Sequence, residues 1–344
     1  MKALVFKGPE KIFLEEIKKP IPKENELLIK IKAVGICGSD FEGYLGKTGR
    51  RIPPMIMGHE LSGEIVDAKN SNQFNHGDKV VVQPIIYCGR CDYCKRSLVN
   101  LCKNWKSLGV LDVNGGMTEY IAVPERYIFK IKDKVSFSRA CLVEPLAVSY
   151  RATQKLSNSK LREAKFILVI GAGTIGLLIL QILKTKGCKN VIISDISEYR
   201  LQIAKKLGAN FIINPTKKNF FSSIKTITIN QLVDCSFEAV GLSTTAAQSL
   251  EVLRSGGIAV WVGNAQKIIQ INMQQLVTSE NRVIGSRAYT EEDFLTSIKM
   301  IEEERVDLES IISSEESLEN GVEAFVKLKE NRDGKIIKII LRND

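Results

Sequence analysis

The chain has 344 residues, 44% hydrophobic and 26% charged, a composition that belongs to a folded globular protein and excludes disordered and fibrous classes. No apolar run approaches the roughly 18 residues of a membrane span, and the N-terminus MKALVFKGPE lacks the apolar core of a signal peptide, so a cytoplasmic protein with no membrane partner is expected. The net charge of +10 comes from scattered lysines that are not interleaved with aromatics, which favours solubility and argues against a nucleic-acid partner.

At this length a single core stops growing, so two domains are expected. Up to about residue 150 the chain carries short β-rich runs, Leu27–Ile31, Leu61–Val66, Lys79–Val82 and Tyr120–Val123, separated by Gly, Pro and Asn. They predict a compact β domain with long functional loops. Three of its segments hold candidate metal ligands: Cys37 in Gly35-Ile36-Cys37-Gly38-Ser39-Asp40, His59 and Glu60 in Gly58-His59-Glu60-Leu61-Ser62-Gly63, and Glu144 in Leu142-Val143-Glu144-Pro145. One thiolate, one imidazole and one or two carboxylates form a mixed set that suits zinc. Such a set leaves room for water or substrate, which is the pattern of a catalytic rather than a structural site. His76, the other histidine, precedes the turn Gly77-Asp78 and reads as an exposed turn residue. The loop Gly46–Arg51 is basic, and reads either as a solvated loop or as a place for a substrate phosphate.

Cys88, Cys91 and Cys94 stand at two-residue gaps, and Cys102 follows after seven more residues. Four thiolates at this spacing fit a closed tetrahedral zinc site of structural kind, since no ligand position remains for substrate. A redox pair would sit in a βαβ pattern, and a nucleic-acid-binding ribbon would use two separated CxxC knuckles. Thiolate ligands argue for a reducing compartment. Cys141, Cys188 and Cys235 fall in apolar stretches or loops and read as packing residues.

From about residue 153 strands alternate with helices, the signature of a parallel sheet with crossover helices. The run Phe166–Ile170 leads directly into Gly171-Ala172-Gly173-Thr174-Ile175-Gly176 and a helix through Lys186, and a second strand, Val191–Ser194, ends in Asp195. In this dinucleotide fingerprint Gly171 makes the tight turn, Gly173 admits the pyrophosphate and Gly176 allows close helix packing. Asp195 accepts from the adenosine ribose and repels a 2′-phosphate, which selects NAD over NADP. The alternation continues through helix 197–207, strand 211–214, helix 219–227, strand 232–237, helix 243–253, strand 257–262, a short helix near 274–280 and strand 282–285, making a six-stranded doubly wound sheet. Helices 291–304 and 315–330 follow, and a terminal strand 336–341 is expected to return to the first domain.

Five ordered motifs, GICGSD at 35–40, GHELSG at 58–63, the cysteine lobe at 88–102, LVEPLAV at 142–148 and GAGTIG at 171–176, resemble the zinc-dependent medium-chain dehydrogenase/reductase superfamily over the whole chain. Glu144-Pro145-Leu146 is similar to the polyol branch (sorbitol, galactitol 1-phosphate and butanediol dehydrogenases), whereas ordinary alcohol dehydrogenases carry cysteine at that ligand position. The resemblance implies an α/β protein: a GroES-like catalytic domain (1–152 and 287–344) with a structural zinc lobe (88–102), a Rossmann NAD-binding domain (153–286), and an active site in the cleft between them. It implies two zinc ions per chain, the catalytic one on Cys37, His59 and either Glu60 or Glu144, the other carboxylate binding directly or through water. It further implies Ser39 as the hydroxyl that relays the substrate proton, Thr174, Ile175 and Arg200 beside the glycines at the cofactor, Tyr289 near the substrate, and a homodimer or homotetramer. Two departures stand out: Glu42 replaces a relay histidine of some members, and Ala288 replaces the arginine usual beside the substrate tyrosine, with Arg287 one position away.

The expected reaction is hydride transfer from a secondary hydroxyl of a polyol, sugar alcohol or vicinal diol to NAD. The alternatives are a simple secondary-alcohol or threonine-type dehydrogenase, and, in a different class, a zinc-bearing nucleic-acid-binding protein, which predicts salt-sensitive retention and no turnover.

Overall fold

The computed structural model describes residues 1–343. It divides into two compact units, the first made of Met1–Glu144, Thr290–Arg332 and the chain from Lys338 onward, the second of Pro145–Tyr289 and Asp333–Ile337. Among the described residues no helix is long and apolar enough to cross a membrane.

The first unit is organised by a sheet in the order Ile128–Lys130, Lys79–Val82, Glu60–Asp67, Glu26–Gly35, Lys338–Arg342, Ile312–Ser317, with Tyr120–Pro124 also paired to Glu26–Gly35. Glu26–Gly35 lies at its centre because Leu27, Leu28, Ile29, Ile31, Ala33 and Val34 are all buried, more apolar surface than an edge strand could cover. Burying each of the larger side chains stabilises the unit by about 1.5–3 kcal/mol. Two register pairs position the chemistry: Gly35 faces Glu60 on one side and Ile340 on the other. The terminal strand therefore does return to this unit, with only Glu26–Gly35 between it and the start of Glu60–Asp67. A smaller sheet, Lys11–Glu16, Lys2–Gly8 and Met55–Ile56, accompanies it.

The sequence predicts a helix over 315–330, and here the structure differs. Ile312–Ser317 is a strand, Leu318–Asn320 a single 3-10 turn, and only Gly321–Glu330 is helical. The segment ISSEES has weak strand propensity, but a parallel ladder with Lys338–Arg342 supplies the backbone partners, and tertiary pairing overrides local preference.

The second unit is a parallel six-stranded sheet in the order Phe211–Ile213, Val191–Ser194, Ile167–Ile170, Val233–Glu238, Leu253–Trp261, Arg282–Gly285. All four residues of Ile167–Ile170 are buried, as an unbroken apolar run demands when both faces are covered by crossover helices. The helix Thr174–Thr185 is buried from Gly176 to Leu183. Leu168, Ile170, Ile192, Ile213, Phe220, Ile224 and Val233 form one core cluster on a face of this sheet. The strand order reverses direction at Ile167–Ile170, so the turn that follows it opens at the point where doubly wound sheets bind ligands.

Candidate metal centres and dinucleotide turn

Cys37 is the N-cap of the helix Gly38–Tyr44, and Glu60 begins the strand that pairs with the end of Glu26–Gly35. This brings one donor atom each from Cys37, His59 and Glu60 within 4.8 Å of one another, close enough for one ion to gather at zinc–ligand distances of about 2.0–2.3 Å. Gly35 makes the room: a Cβ there would stand 2.1 Å from Glu60 Oε2. Glu144 lies in the first turn of the helix Val143–Thr153, 9% exposed, and is not among the three converging donors. Of the two carboxylates that compete for this role in the sequence, Glu60 is the one the fold brings to Cys37 and His59.

Three further residues surround this set, and sequence reasoning assigned none of them to it. Lys338 Nζ donates to both Glu60 oxygens, at 2.8 and 2.7 Å, and to the Ile36 carbonyl at 3.0 Å. Burial alone would push Lys338 below its ordinary value, but Glu60 and Cys37 outweigh it and hold the amine above that value. Asp40 accepts from the Cys37 amide at 3.2 Å, is ion-paired with Arg51 at 2.7 Å, and places the same oxygen 3.5 Å from His59 Nδ1. Burial would raise the Asp40 carboxyl, yet His59 and Arg51 hold it well below the usual carboxylate range. A carboxylate facing Nδ1 directs Nε2 of the same ring toward a metal. Arg51 is thereby removed from the basic loop as a free phosphate ligand, leaving Lys47 and Arg50 exposed. Ser39 Oγ accepts from Arg51 Nη2 at 3.3 Å.

The four cysteines of the lobe also converge. Their sulfurs stand 3.5 Å (Cys91–Cys94), 3.6 Å (Cys88–Cys102), 3.9 Å (Cys91–Cys102) and 4.0 Å (Cys88–Cys94) apart. A tetrahedron with metal–sulfur bonds of about 2.3 Å has edges of about 3.8 Å, so these distances bracket a tetrathiolate zinc site. Backbone amides of Cys94 and Lys103 bring Cys91 down to about 6, while burial and neighbouring thiols push Cys94 up to about 12. Four cysteine sulfurs this close could hold one cation among them. His76 is exposed, and Cys141, Cys188 and Cys235 are buried in packing positions.

In the second unit Gly171 has φ +96°, a left-handed turn, and a Cβ on Gly176 would lie 1.7 Å from the Gly171 carbonyl oxygen. Gly173 caps the helix Thr174–Thr185, and a Cβ there would meet nothing nearer than Arg200 Nη1 at 4.0 Å, so the backbone leaves the helix N-terminus accessible to an anion beside a guanidinium. The Asp195 carboxylate accepts from the Ala172 amide at 2.7 Å and the Ser197 amide at 2.8 Å, which locks it beside the turn. Thr174 Oγ1 donates to the Ile337 carbonyl at 3.3 Å, and the Ile175 carbonyl accepts from Ser149 Oγ at 3.3 Å. Arg200 donates to the carbonyls of Gly334 (2.8 Å) and Ile336 (2.7 Å), so its guanidinium ties the segment 333–337 to this unit. Tyr289 is fully buried.

Residues 23–133 match the family model of the alcohol dehydrogenase GroES-like domain, and residues 174–303 that of the zinc-binding dehydrogenase. Sorbitol dehydrogenase of Bacillus subtilis is 34% identical over 94% of this chain and 92% of its own length. D-arabitol-phosphate dehydrogenase of Enterococcus avium is 31% identical, covering 96% and 94%. Among solved structures, an Escherichia coli alcohol dehydrogenase (rspB) complexed with NADH superposes with a TM-score of 0.91 at 27% identity, covering 100% of this chain and 99% of that one. A GroES-like unit with a mixed S/N/O donor set, joined to a Rossmann unit, defines an oxidoreductase of the zinc-type alcohol dehydrogenase class. The chain belongs to the zinc-dependent medium-chain dehydrogenase/reductase family, in its polyol dehydrogenase branch.

Proposed function

We propose that this protein is an NAD-dependent dehydrogenase that oxidises a secondary hydroxyl of a polyol, a sugar alcohol (free or phosphorylated) or a vicinal diol to the ketone. The observation that carries the metal chemistry of this reading is the convergence of Cys37, His59 and Glu60, and its substrate class is supported by Glu144-Pro145-Leu146 and by the similarity to sugar-alcohol dehydrogenases. These three residues would hold the catalytic zinc, and Cys88, Cys91, Cys94 and Cys102 the structural one. Bound there, zinc supplies Lewis-acid polarisation that lowers the pKa of a neighbouring hydroxyl, the condition under which a carbinol carbon releases hydride. Glu144 would meet a second substrate hydroxyl or reach the metal through water, and Tyr289 would line the substrate side.

The reaction balances as secondary alcohol plus NAD⁺ giving ketone, NADH and one proton, and Ser39 is the exit for that proton. Gly171, Gly173, Thr174, Ile175 and Gly176 would present helix N–H groups to the pyrophosphate, with Arg200 fixing the adjoining segment. The preference for NAD rests on Asp195, which would oppose a 2′-phosphate by roughly 1–4 kcal/mol depending on the local dielectric. Replacing Asp195 by Ala is therefore expected to shift the ratio of kcat/KM for NAD over NADP by at least about fivefold toward NADP. An unchanged ratio in steady-state assays with the two cofactors would remove Asp195 from the cofactor site.

Cys91→Ser is expected to release one zinc per chain and to destabilise the protein on the order of several kcal/mol, read by metal analysis and thermal unfolding. Retention of both ions would contradict the structural assignment. Thiolate ligands favour a reducing, cytoplasmic setting, and light scattering should return a homodimer or homotetramer.

The deciding experiment is NAD reduction over a panel of sugar alcohols, their phosphates, vicinal diols, threonine and simple secondary alcohols. Fastest turnover of a polyol or diol supports the proposal. Fastest turnover of threonine or a simple alcohol overturns the substrate class, and no NAD reduction with any member overturns the activity.

A further inference from the structure

The buried Arg51, paired with the Asp40 that faces His59, has no part in the reaction as described above. Arg51 comes from a surface loop, yet its side chain is only 2% exposed. It lies across Gly43, where a Cβ would stand 2.4 Å from the Arg51 Cγ, so the helix Gly38–Tyr44 is cut away to admit it. Nη1 donates to the Arg50 carbonyl at 3.2 Å, and Nε is buried with no acceptor. A single nitrogen, Nη2, donates both to Asp40 Oδ1 at 2.7 Å and to Ser39 Oγ at 3.3 Å.

We infer that Arg51 is a positioning residue that sets the direction in which Ser39 passes the substrate proton; the inference rests on the relay role proposed for Ser39. A guanidinium has donors only, so the side of the Ser39 oxygen facing Arg51 accepts, and the hydroxyl hydrogen must point elsewhere. The remaining lone pair is then open to the substrate hydroxyl: one proton enters there as the partly exposed Ser39 releases its own to solvent water on the outer side, and the serine is left unchanged. Asp40, bonded to the same nitrogen, is the competing acceptor. With Arg51 displaced, a buried carboxylate would draw the Ser39 hydrogen into a charge-assisted bond and turn the hydroxyl away from the exit. Asp40 has no solvent exposure, so that orientation leads nowhere.

The test is a double-mutant cycle of Arg51→Lys and Ser39→Ala, with NAD reduction by 2,3-butanediol and by D-sorbitol as probes. Lysine keeps the positive charge beside Asp40 but cannot reproduce the shared donor. Arg51→Lys is expected to lower kcat about tenfold, to leave KM within about twofold, and to keep the zinc content of the parent. In the Ser39→Ala background the same change should alter kcat by less than about twofold, because its effect runs through the missing hydroxyl.

Should Arg51→Lys fail to fold, Gly43→Ala pushes the guanidinium aside without removing it and should give the same Ser39-dependent loss. Effects that multiply independently, an unchanged kcat, or zinc loss from Arg51→Lys overturn the inference, since Arg51 then acts on the fold or on His59. Undiminished kcat in Ser39→Ala itself overturns the relay reading and the inference together, whereas an impaired Ser39→Ala with independent effects removes the inference alone.

Discussion

His59→Ala is expected to lower kcat/KM for the best polyol substrate by about 10⁴-fold or more, while the folded chain still binds NADH and keeps one zinc in the cysteine lobe. The size follows from what each group can supply. A zinc ion brings the pKa of bound water from 15.7 to about 7, and an alcohol shifted comparably gains up to about 12 kcal/mol toward the ionised form. A positioned general base contributes roughly 10²- to 10⁴-fold, so Ser39 cannot compensate for loss of the ion. Removing His59 leaves Cys37 and Glu60 as two converging donors, too few to close a site on zinc. Cys37→Ala should do the same. Metal analysis, NADH fluorescence titration and steady-state rates on one preparation check the result. A His59→Ala protein that retains both zinc ions and more than about a tenth of the activity would end the assignment of this site.

The parts of this molecule legible in the sequence are those whose geometry is local. In the stretch 171–176 two constraints, the left-handed turn at Gly171 and the contact of Gly176 with its carbonyl, lie within six residues. The four cysteines span fifteen positions and fold back on one another. Cys37, His59 and Glu60 were visible by residue type only as a set: a His–Glu pair alone reads as a turn histidine with a solvated neighbour, and the cysteine between small residues upstream and the second carboxylate downstream turn it toward a metal. Their partners were not. Asp40 belongs to an ordinary helical turn until Arg51 is laid across Gly43, and no spacing in the loop 46–51 marks which of its two arginines turns inward. Lys338 reaches Glu60 across 278 residues of sequence, and only the return of the terminal strand to Glu26–Gly35 brings them together. One signal was present: a lysine inside the apolar run Ile336-Ile337-Lys338-Ile339-Ile340 has to find a partner. The misread strand Ile312–Ser317 has the same origin, since its ladder partner is that same terminal strand.

Lys338→Met should show how closely stability and the metal site are coupled. Lys338 and Glu60 are 2% and 1% exposed in their side chains, and all three ammonium hydrogens have acceptors in the two carboxylate oxygens and the Ile36 carbonyl. Removing one partner of a buried pair leaves the other charge uncompensated, which costs about 3–5 kcal/mol, far above the ≈0–1 kcal/mol of an exposed ion pair. Methionine has nearly the volume of the lysine stem, so little of the loss comes from packing. Urea denaturation of chelated protein should therefore show the full destabilisation. With zinc restored the loss should be smaller, because a cation held by Cys37, His59 and Glu60 replaces the missing positive charge. A difference between the two forms places Glu60 in direct electrostatic contact with the ion. Equal losses in both forms would mean that Lys338 alone neutralises Glu60, and the third ligand would then have to be sought elsewhere, with Glu144 the first residue to test.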